Sequence, residues 1–282
     1  MLSPHVDQLI HLALTEDLGA GDSTTDALFD GSELSNARLL AKSDLVVCGA
    51  AVFDKVMAAV NPAIEVAWTQ PDASVVTAGT VIATMTGPTA SILRGERTAL
   101  NFLQRMSGIA TLTHRYASAL SGSATQIVDT RKTLPGWREL DKLAVRTGGG
   151  RNHRMNLGGG VMIKDNHIAA AGSIAAAIQR VRSVAPHTLR IECEVTDMAE
   201  LIQAVNAGAD IILLDNMDNE EVAACVRTAR ELAGARPIAL EASGGITLER
   251  LPSLAETGVD YISSGALTHS VTAADISLDF LP

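Results

Sequence analysis

Basic residues are concentrated in one stretch of this chain, from Arg131 to Lys164. The stretch carries eight Lys or Arg and two acids, a charge of +6 within a chain whose formal net charge is −10. Like charges repel one another in such a cluster unless anions occupy it. A solvated basic surface is the alternative, but Asn, His, Gly and Thr interleave with the charges, and Pro135 and the glycines predict tight turns. The stretch therefore indicates a pocket for a small, highly anionic ligand.

Further reactive side chains stand at the ends of short apolar runs that have the length of strands. In barrels of parallel strands the carboxyl ends build the active site, and the last loops often bind phosphate. Taken singly, the acids would also fit buried ion pairs, and the glycines would fit plain turns. The groups that follow the six runs, or in the case of the two glutamates lie on one of them, are Arg131 and Lys132, Lys164, Glu192 and Glu194, Asp215 and Asn216, Ser243-Gly244-Gly245, and Gly265.

These groups predict a division into subsites. Glu192 and Glu194 are two residues apart, so they face the same side of a strand. Carboxylates in a phosphate site usually meet the phosphate through Mg²⁺, which keeps several waters. Ser243-Gly244-Gly245 offers backbone N–H groups to a phosphate. No His and Cys grouping indicates zinc, and no Ser or Cys nucleophile has an evident base. We expect group transfer between two anionic small molecules.

The elements that position these groups follow from the hydrophobic pattern. After Gly122, apolar runs alternate with helical stretches, which predicts a parallel sheet. Six repeats without a nucleotide-binding glycine fingerprint favour a barrel, complete or open, over a doubly wound sheet. Upstream, helices at 6–18 and 50–60 and strands within 37–48, 64–68 and 81–85 predict a small α/β layer with a mixed sheet. Residues 91–120 read as helical, with Gly108 breaking or joining two helices. Asp22 reads as a cap or turn residue, with contact to a ligand as the alternative. The predicted barrel strands are 127–128, 161–163, 191–195, 211–214, 238–242 and 261–264.

Composition limits the class of protein. The chain has 282 residues and is 47% hydrophobic but only 3% aromatic, so its core consists of Ala, Val, Leu and Ile, which suits parallel sheets covered by helices. A net charge of −10 with no basic stripe outside the cluster argues against nucleic-acid binding. Three cysteines without metal-type spacing indicate a reducing compartment. Neither a signal peptide nor an apolar run of about 18 residues is evident, so we expect no membrane span and a cytoplasmic enzyme; a soluble binding protein is the alternative.

Long motifs in a fixed order resemble the quinolinate phosphoribosyltransferases along nearly the whole chain. The central ones lie between Asp129 and His167, where the basic cluster is. The motifs are Glu16-Asp17-Leu18, Glu96-Arg97-Thr98-Ala99-Leu100-Asn101, Ser107-Gly108-Ile109-Ala110-Thr111, Asp129-Thr130-Arg131-Lys132-Thr133, Gly148-Gly149-Gly150, Asn152-His153-Arg154, Lys164-Asp165-Asn166-His167, Leu214-Asp215-Asn216, Glu241-Ala242-Ser243-Gly244-Gly245 and Gly265-Ala266-Leu267-Thr268.

The resemblance implies an α/β fold of the type II phosphoribosyltransferase kind. An N-terminal α/β sandwich would comprise residues 1–105 and receive the tail 268–282, and an open parallel α/β barrel would comprise 106–267. A homodimer with shared active sites is implied as well, in which the sandwich of one subunit closes the barrel of the other. The implied substrates are quinolinate and phosphoribosyl pyrophosphate, with Mg²⁺ as cofactor.

A related phosphoribosyltransferase with another substrate, such as the paralogue associated with molybdate transport genes, is an alternative. That branch departs from the Lys-Asp-Asn-His pattern, which is intact here at 164–167. A non-catalytic protein on the same fold would be expected to lose at least one of Lys132, Lys164, Glu194 or Asp215.

Site residues can be carried over along the matching motifs. By the resemblance, Lys132, Lys164, Glu194 and Asp215 are catalytic, and Glu194 and Asp215 hold Mg²⁺, directly or through water. The sequence departs from many relatives at 157–160, Leu-Gly-Gly-Gly, where they carry an Asp, and we expect a loop difference that bears on Lys164. The implied quinolinate ligands are Arg97 from the other subunit, Arg131, His153, Arg154 and Lys164; the implied phosphoribosyl pyrophosphate ligands are Lys132, Glu194, Asp215, Ser243, Gly244, Gly245 and Gly265.

Overall fold

Two compact units make up the structure, a computed structural model that describes residues 2–282. The first comprises the chain up to His114 together with Leu134–Gly149 and Leu267–Pro282, and the second comprises Arg115–Thr133 and Gly150–Ala266. Among residues 2–282, no helix combines the length and the apolar character needed to cross a bilayer. In chain order the elements are α1 (Pro4–Leu18), α2 (Ser23–Leu28), β1 (Leu34–Ala41), β2 (Leu45–Val46), α3 (Ala50–Val60), β3 (Glu65–Trp68), β4 (Val75–Val76), β5 (Val81–Pro88), α4 (Thr89–Ala119), β6 (Gln126–Val128), α5 (Arg138–Thr147), β7 (Val161–Ile163), α6 (Asp165–Ala171), α7 (Ile174–Val184), β8 (Ile191–Val195), α8 (Met198–Asn206), β9 (Ile211–Asp215), α9 (Asn219–Ala233), β10 (Ala239–Ser243), α10 (Leu251–Ala255), β11 (Tyr261–Ser263), α11 (Ala266–His269) and β12 (Ile276–Phe280).

The first unit is built on an antiparallel sheet with the strand order β12-β1-β5-β3. The C-terminal strand β12 pairs with β1, so that Leu39 lies opposite Leu278. The helix predicted at 50–60 is α3, which buries Val52, Phe53 and Val56 at helical spacing. The predicted small α/β layer is therefore confirmed, but the expectation of a mixed sheet was wrong, because all pairs among these four strands are antiparallel.

The helix α4 corrects one prediction. We expected Gly108 to break or join two helices, but α4 runs without interruption over 31 residues from Thr89 to Ala119. A Cβ at position 108 would lie 2.3 Å from the carbonyl oxygen of Thr272, so the glycine serves a close approach of the C-terminal segment to the helix. The prediction was wrong because the contact that requires the glycine lies over 160 residues away in the sequence.

Residues 134–149 belong to the first unit, whereas the division predicted from the sequence assigned them to the barrel. Trp137, which precedes α5, stacks on Phe102 of α4 with ring centroids 4.7 Å apart. The Arg105 guanidinium donates hydrogen bonds of 3.2 and 3.1 Å to the two carboxylate oxygens of Asp141, whose side chain is fully buried. An aromatic stack and a bidentate ion pair thus fix α5 against α4.

The second unit contains a six-stranded parallel sheet with the order β6-β11-β10-β9-β8-β7. All six barrel strands predicted from the sequence are present. The strands β6 and β7 form the two edges of the sheet, so the barrel is open. The predicted fold class, an N-terminal α/β sandwich with an open parallel α/β barrel, is confirmed.

Candidate active site

The pairing register of the parallel sheet brings the predicted acids onto one face. Glu194 is in register with Leu213 of β9, and Leu213 is in register with Glu241 of β10. Asp215 and Ser243 pair two residues further along the same strands. Alternate residues of a strand share a face, which places on a single face Glu192, Glu194, Asp215, Glu241 and Ser243.

Lys164 stands at the end of β7, beside this face, and two contacts fix it. Its backbone N–H donates a 3.0 Å hydrogen bond to Nδ1 of His167, which closes the first turn of α6. Its ammonium group forms an ion pair with the Glu194 carboxylate. The Lys-Asp-Asn-His motif therefore presents a lysine and supplies the histidine that holds its backbone.

His153 lies between two buried carboxylates of the same unit. Its Nε2 is 3.1 Å from a carboxylate oxygen of Glu192 and 3.8 Å from one of Glu241, and both glutamate side chains are only 5% exposed. Burial, and then the charge of Glu192, raise the pKa of Glu241 to about 7. Glu241 Oε1 is buried without a hydrogen-bond partner. Among residues 2–282, these three residues form the only group of three or more side chains spaced to hold a metal ion, with ligand atoms within 4.8 Å of one another.

The predicted basic pocket contains Arg131 and Arg154. Burial, and then the charge of Arg131, lower the pKa of the Arg154 guanidinium, so the two cations are close enough to repel each other. The Arg154 guanidinium donates a 2.9 Å hydrogen bond to the carbonyl oxygen of Gly160. The glycine loop that we expected to bear on Lys164 thus contacts Arg154.

Asp129 anchors the segment that carries these basic residues. It is fully buried and accepts hydrogen bonds from the His153 backbone N–H at 2.8 Å and from the Asn152 side-chain amide at 2.6 Å. Arg131 and Lys132, which follow it, are exposed. The first charged residue of the motif therefore holds the loop, and the basic residues after it are presented to solvent.

The predicted phosphate loop interlocks with the loop after β9. Asn216 has a left-handed backbone with φ of 56°, and its N–H donates a 2.9 Å hydrogen bond to the carbonyl oxygen of Ser243. The Asn216 amide also donates to the Asp215 carboxylate at 2.8 Å. A Cβ on Gly244, whose φ is 85°, would lie 2.1 Å from Asn216 Oδ1. Gly245 is exposed, and Gly265, which follows the end of β11 by two residues, is half-buried.

Two predicted residues lie in the first unit. Asp22 is the N-cap of α2 and accepts hydrogen bonds from the backbone N–H groups of Thr24 and Thr25, which confirms the cap interpretation. Hydrogen bonds from Thr25 are the main cause that lowers the pKa of Asp22. Arg97 lies on α4 with an exposed side chain. Its role in a neighbouring subunit's site stays a prediction.

Two models of one family match the chain over most of its length. The Quinolinate phosphoribosyl transferase, N-terminal domain, matches residues 22–107, and the C-terminal domain of the same family matches residues 109–279. The chain belongs to the quinolinate phosphoribosyltransferase family.

Relatives and solved structures agree with this family membership. The chain is 44% identical over 274 residues, covering 96% of itself and 92% of the relative, to the probable nicotinate-nucleotide pyrophosphorylase (carboxylating) of Bacillus subtilis. It is 43% identical to the chloroplastic nicotinate-nucleotide pyrophosphorylase (carboxylating) of Arabidopsis thaliana, covering 96% of the chain and 81% of the relative. The nicotinate-nucleotide pyrophosphorylase of Francisella tularensis has a similar structure, with a TM-score of 0.92 at 37% identity, covering 100% of this chain and 98% of that one.

Asp129, Glu241 and His167 lie within the family motifs, and the structure shows contacts for each that the sequence pattern did not predict. Glu241 stands inside an apolar run, as Glu192 does, and an acid in a buried strand is a usable signal because burying a charge is costly unless it is paired. The roles of Asp129 and His167 had no such signal, since both act through contacts with backbone N–H groups.

Proposed function

We propose that this protein transfers the phosphoribosyl group of phosphoribosyl pyrophosphate to quinolinate with loss of CO₂, giving nicotinate mononucleotide and pyrophosphate in de novo NAD biosynthesis. The observation that carries the proposal is the single face on which Glu194, Asp215 and Ser243 stand beside Lys164. Cations, carboxylates and a glycine-lined loop are the groups that an anionic acceptor and a diphosphate donor require. Membership of the quinolinate phosphoribosyltransferase family supports the same substrates.

The quinolinate subsite in this proposal consists of Arg131, His153, Arg154 and Lys164, with Arg97 contributed by the second subunit. Guanidinium groups bind carboxylates through two parallel hydrogen bonds. Quinolinate carries two carboxylates, so it would offset both the burial and the charge of Arg131, which in that order lower the pKa of Arg154. A substrate with one carboxylate would leave cations of the site unpaired.

The phosphoribosyl pyrophosphate subsite in this proposal lies along the carboxyl ends of β8 to β11. Glu194 and Asp215 are on neighbouring strands and two residues out of register, so their Cα atoms are about 8 Å apart at ordinary strand spacing and rise. That separation suits Mg²⁺ held largely through water, and the ion would supply positive charge to the pyrophosphate. Lys132 would contact the same group, while the 5′-phosphate would meet Ser243, Gly244, Gly245 and Gly265.

The reaction follows from this division of charge. The ring nitrogen of quinolinate attacks C1 of the ribose as the bond to pyrophosphate breaks, and Lys132 offsets the charge that grows on the leaving oxygen. The product is a pyridinium, which accepts the electron pair of the bond to the 2-carboxylate. CO₂ then leaves, and a proton takes its place on the ring carbon. The residues supply position and electrostatic stabilisation, and none needs to form a covalent intermediate.

Two further parts of the proposal concern assembly and location. A homodimer would bring Arg97 of one subunit to the barrel of the other, which accounts for an exposed arginine within a family motif. We place the enzyme in the cytoplasm because its three cysteines are free and buried, as in a reducing compartment.

Incubation with phosphoribosyl pyrophosphate, Mg²⁺ and either quinolinate or nicotinic acid tests the function. Release of CO₂ and formation of nicotinate mononucleotide are measured. Quinolinate should be consumed and nicotinic acid almost ignored, since a site built for two charged groups rejects an analogue that lacks one of them. Comparable turnover of the two acids would contradict the proposed subsite.

A further inference from the structure

The contacts of His153 determine which of its ring nitrogens carries the proton. Nδ1 lies 2.7 Å from the backbone nitrogen of Arg154. A backbone N–H can only donate, so Nδ1 must offer its lone pair. The ring proton therefore resides on Nε2, which faces Glu192 at 3.1 Å. An imidazolium would place a second N–H directly against that of Arg154.

His153 thereby links a buried strand to the predicted quinolinate pocket. On one side is Glu192 of β8, 4% exposed. On the other is the backbone of Arg154, whose guanidinium contacts the carbonyl oxygen of Gly160. Asp129 accepts a hydrogen bond from the His153 backbone N–H and so fixes the backbone from which the ring projects.

We propose that Glu192 is a positioning residue for quinolinate: it accepts the Nε2 proton of His153, fixes the tautomer whose Nδ1 holds the Arg154 backbone, and so sets the Arg154 guanidinium. The inference rests on the proposed function in naming quinolinate as the ligand. Through this chain of contacts, His153 of the proposed subsite also acts on quinolinate by way of Arg154. Glu241, 3.8 Å from Nε2, is beyond hydrogen-bond distance and is the second acceptor that the ring could reach by turning.

Two substitutions separate hydrogen bonding from charge. Glu192→Gln keeps a carbonyl oxygen that can accept from Nε2, whereas Glu192→Leu has a similar shape and no acceptor. We expect Glu192→Leu to raise the KM for quinolinate about tenfold, as for the loss of one buried hydrogen bond, with the KM for phosphoribosyl pyrophosphate unchanged. Glu192→Gln should stay within about twofold of wild type on the same reasoning. Glu220→Leu, on an exposed position of α9, is the matched control.

A spectroscopic test does not depend on turnover. The ¹⁵N shifts of the His153 ring, assigned by their loss in His153→Asn, should show an unprotonated Nδ1 and a protonated Nε2 in wild type and Glu192→Gln. Glu192→Leu should show a mixture of tautomers. A protonated Nδ1 in the wild type would overturn the inference, and so would an equal rise of the quinolinate KM in Glu192→Gln and Glu192→Leu.

Addition of Zn²⁺ tests the alternative that His153, Glu192 and Glu241 bind a cation. If the wild type retained one Zn²⁺ per chain and Glu192→Gln did not, the three residues would form a cation site instead. If the wild type did not turn over quinolinate, the proposed function would fail while the tautomer remained testable.

Discussion

Substitution of Gly244 by alanine should damage the phosphate loop more than an ordinary glycine substitution. The added Cβ would lie 2.1 Å from Asn216 Oδ1 and 2.9 Å from the Asn216 backbone nitrogen. Rotation of the Asn216 side chain could relieve the first contact, but it would break the 2.8 Å hydrogen bond to Asp215. The second contact is with the backbone, so the loop after β9 must move.

The size of the effect can be separated into strain and clash by a control at Gly208. Gly208 has a φ of 87°, close to the 85° of Gly244, and a Cβ there would meet no atom within 4 Å. Gly208→Ala should therefore cost only the strain of the left-handed backbone, about 1–2 kcal/mol. Gly244→Ala should cost about 1–3 kcal/mol more, the usual penalty of overpacking. At roughly 2–4 °C per kcal/mol, the Gly244→Ala midpoint should lie several degrees below that of Gly208→Ala.

Thermal unfolding and steady-state kinetics of the two variants test this reasoning. Gly208→Ala should keep wild-type kinetics, because Gly208 lies in the turn between α8 and β9, outside the predicted site. Gly244→Ala should raise the KM for phosphoribosyl pyrophosphate, since the shift of Asn216 displaces Asp215. The reasoning is refuted if Gly244→Ala melts no lower than Gly208→Ala and binds phosphoribosyl pyrophosphate normally.

Three further predictions concern the metal, the dimer and the thiols. Asp215→Ala should lower activity and raise the Mg²⁺ concentration for half activity while leaving quinolinate binding alone; an unchanged metal requirement counts against the assignment. Arg97→Ala and Lys132→Ala should each be nearly inactive alone. When the two variants are refolded together, about a quarter of wild-type activity should return, because half of the randomly paired dimers are mixed and each mixed dimer has one intact site. If mixed dimers are shown to form and no activity returns, Arg97 does not act in trans. Burial raises the pKa of Cys48 and of Cys193 to about 12 and also raises the pKa of Cys225. A thiol reagent at pH 8 should therefore label the native protein slowly and the unfolded protein at three sites. Rapid labelling of the native protein would contradict the burial of the thiols.

The barrel strands could be predicted because strands that are buried on both faces are apolar at consecutive positions of the sequence. A run such as 211–214 is apolar throughout, and Gly208-Ala209-Asp210 before it marks the turn from helix to strand. Such local signals determined the bounds of the six strands to within one or two residues. They also placed the reactive groups at one edge of the sheet, because parallel strands present their carboxyl ends together.

Contacts between distant parts of the chain could not be predicted from these local signals. Gly108 looked like a helix break because glycine disfavours helices locally, whereas its reason is the approach of Thr272. The segment 134–149 follows a barrel strand in sequence but packs on α4 through Trp137 and Asp141. A pattern with a period of a few residues carries no information about such partners.

The family motifs combine residues that we propose to contact the substrates with residues that hold them in place. In Lys-Asp-Asn-His, Lys164 faces Glu194 while His167 binds the Lys164 backbone. In Leu-Asp-Asn, Asp215 lies on the same sheet face as Glu194, while the Asn216 backbone N–H donates a hydrogen bond to Ser243 and Asn216 leaves room only for a glycine at position 244. A chain that retained Lys164 and Asp215 but lost His167 and Asn216 would keep the charges of the proposed site but lose its geometry. The presence of His167 and Asn216 therefore makes the motif match stronger evidence for the reaction than the charged residues alone. Charged groups that are not positioned leave the barrier to group transfer high.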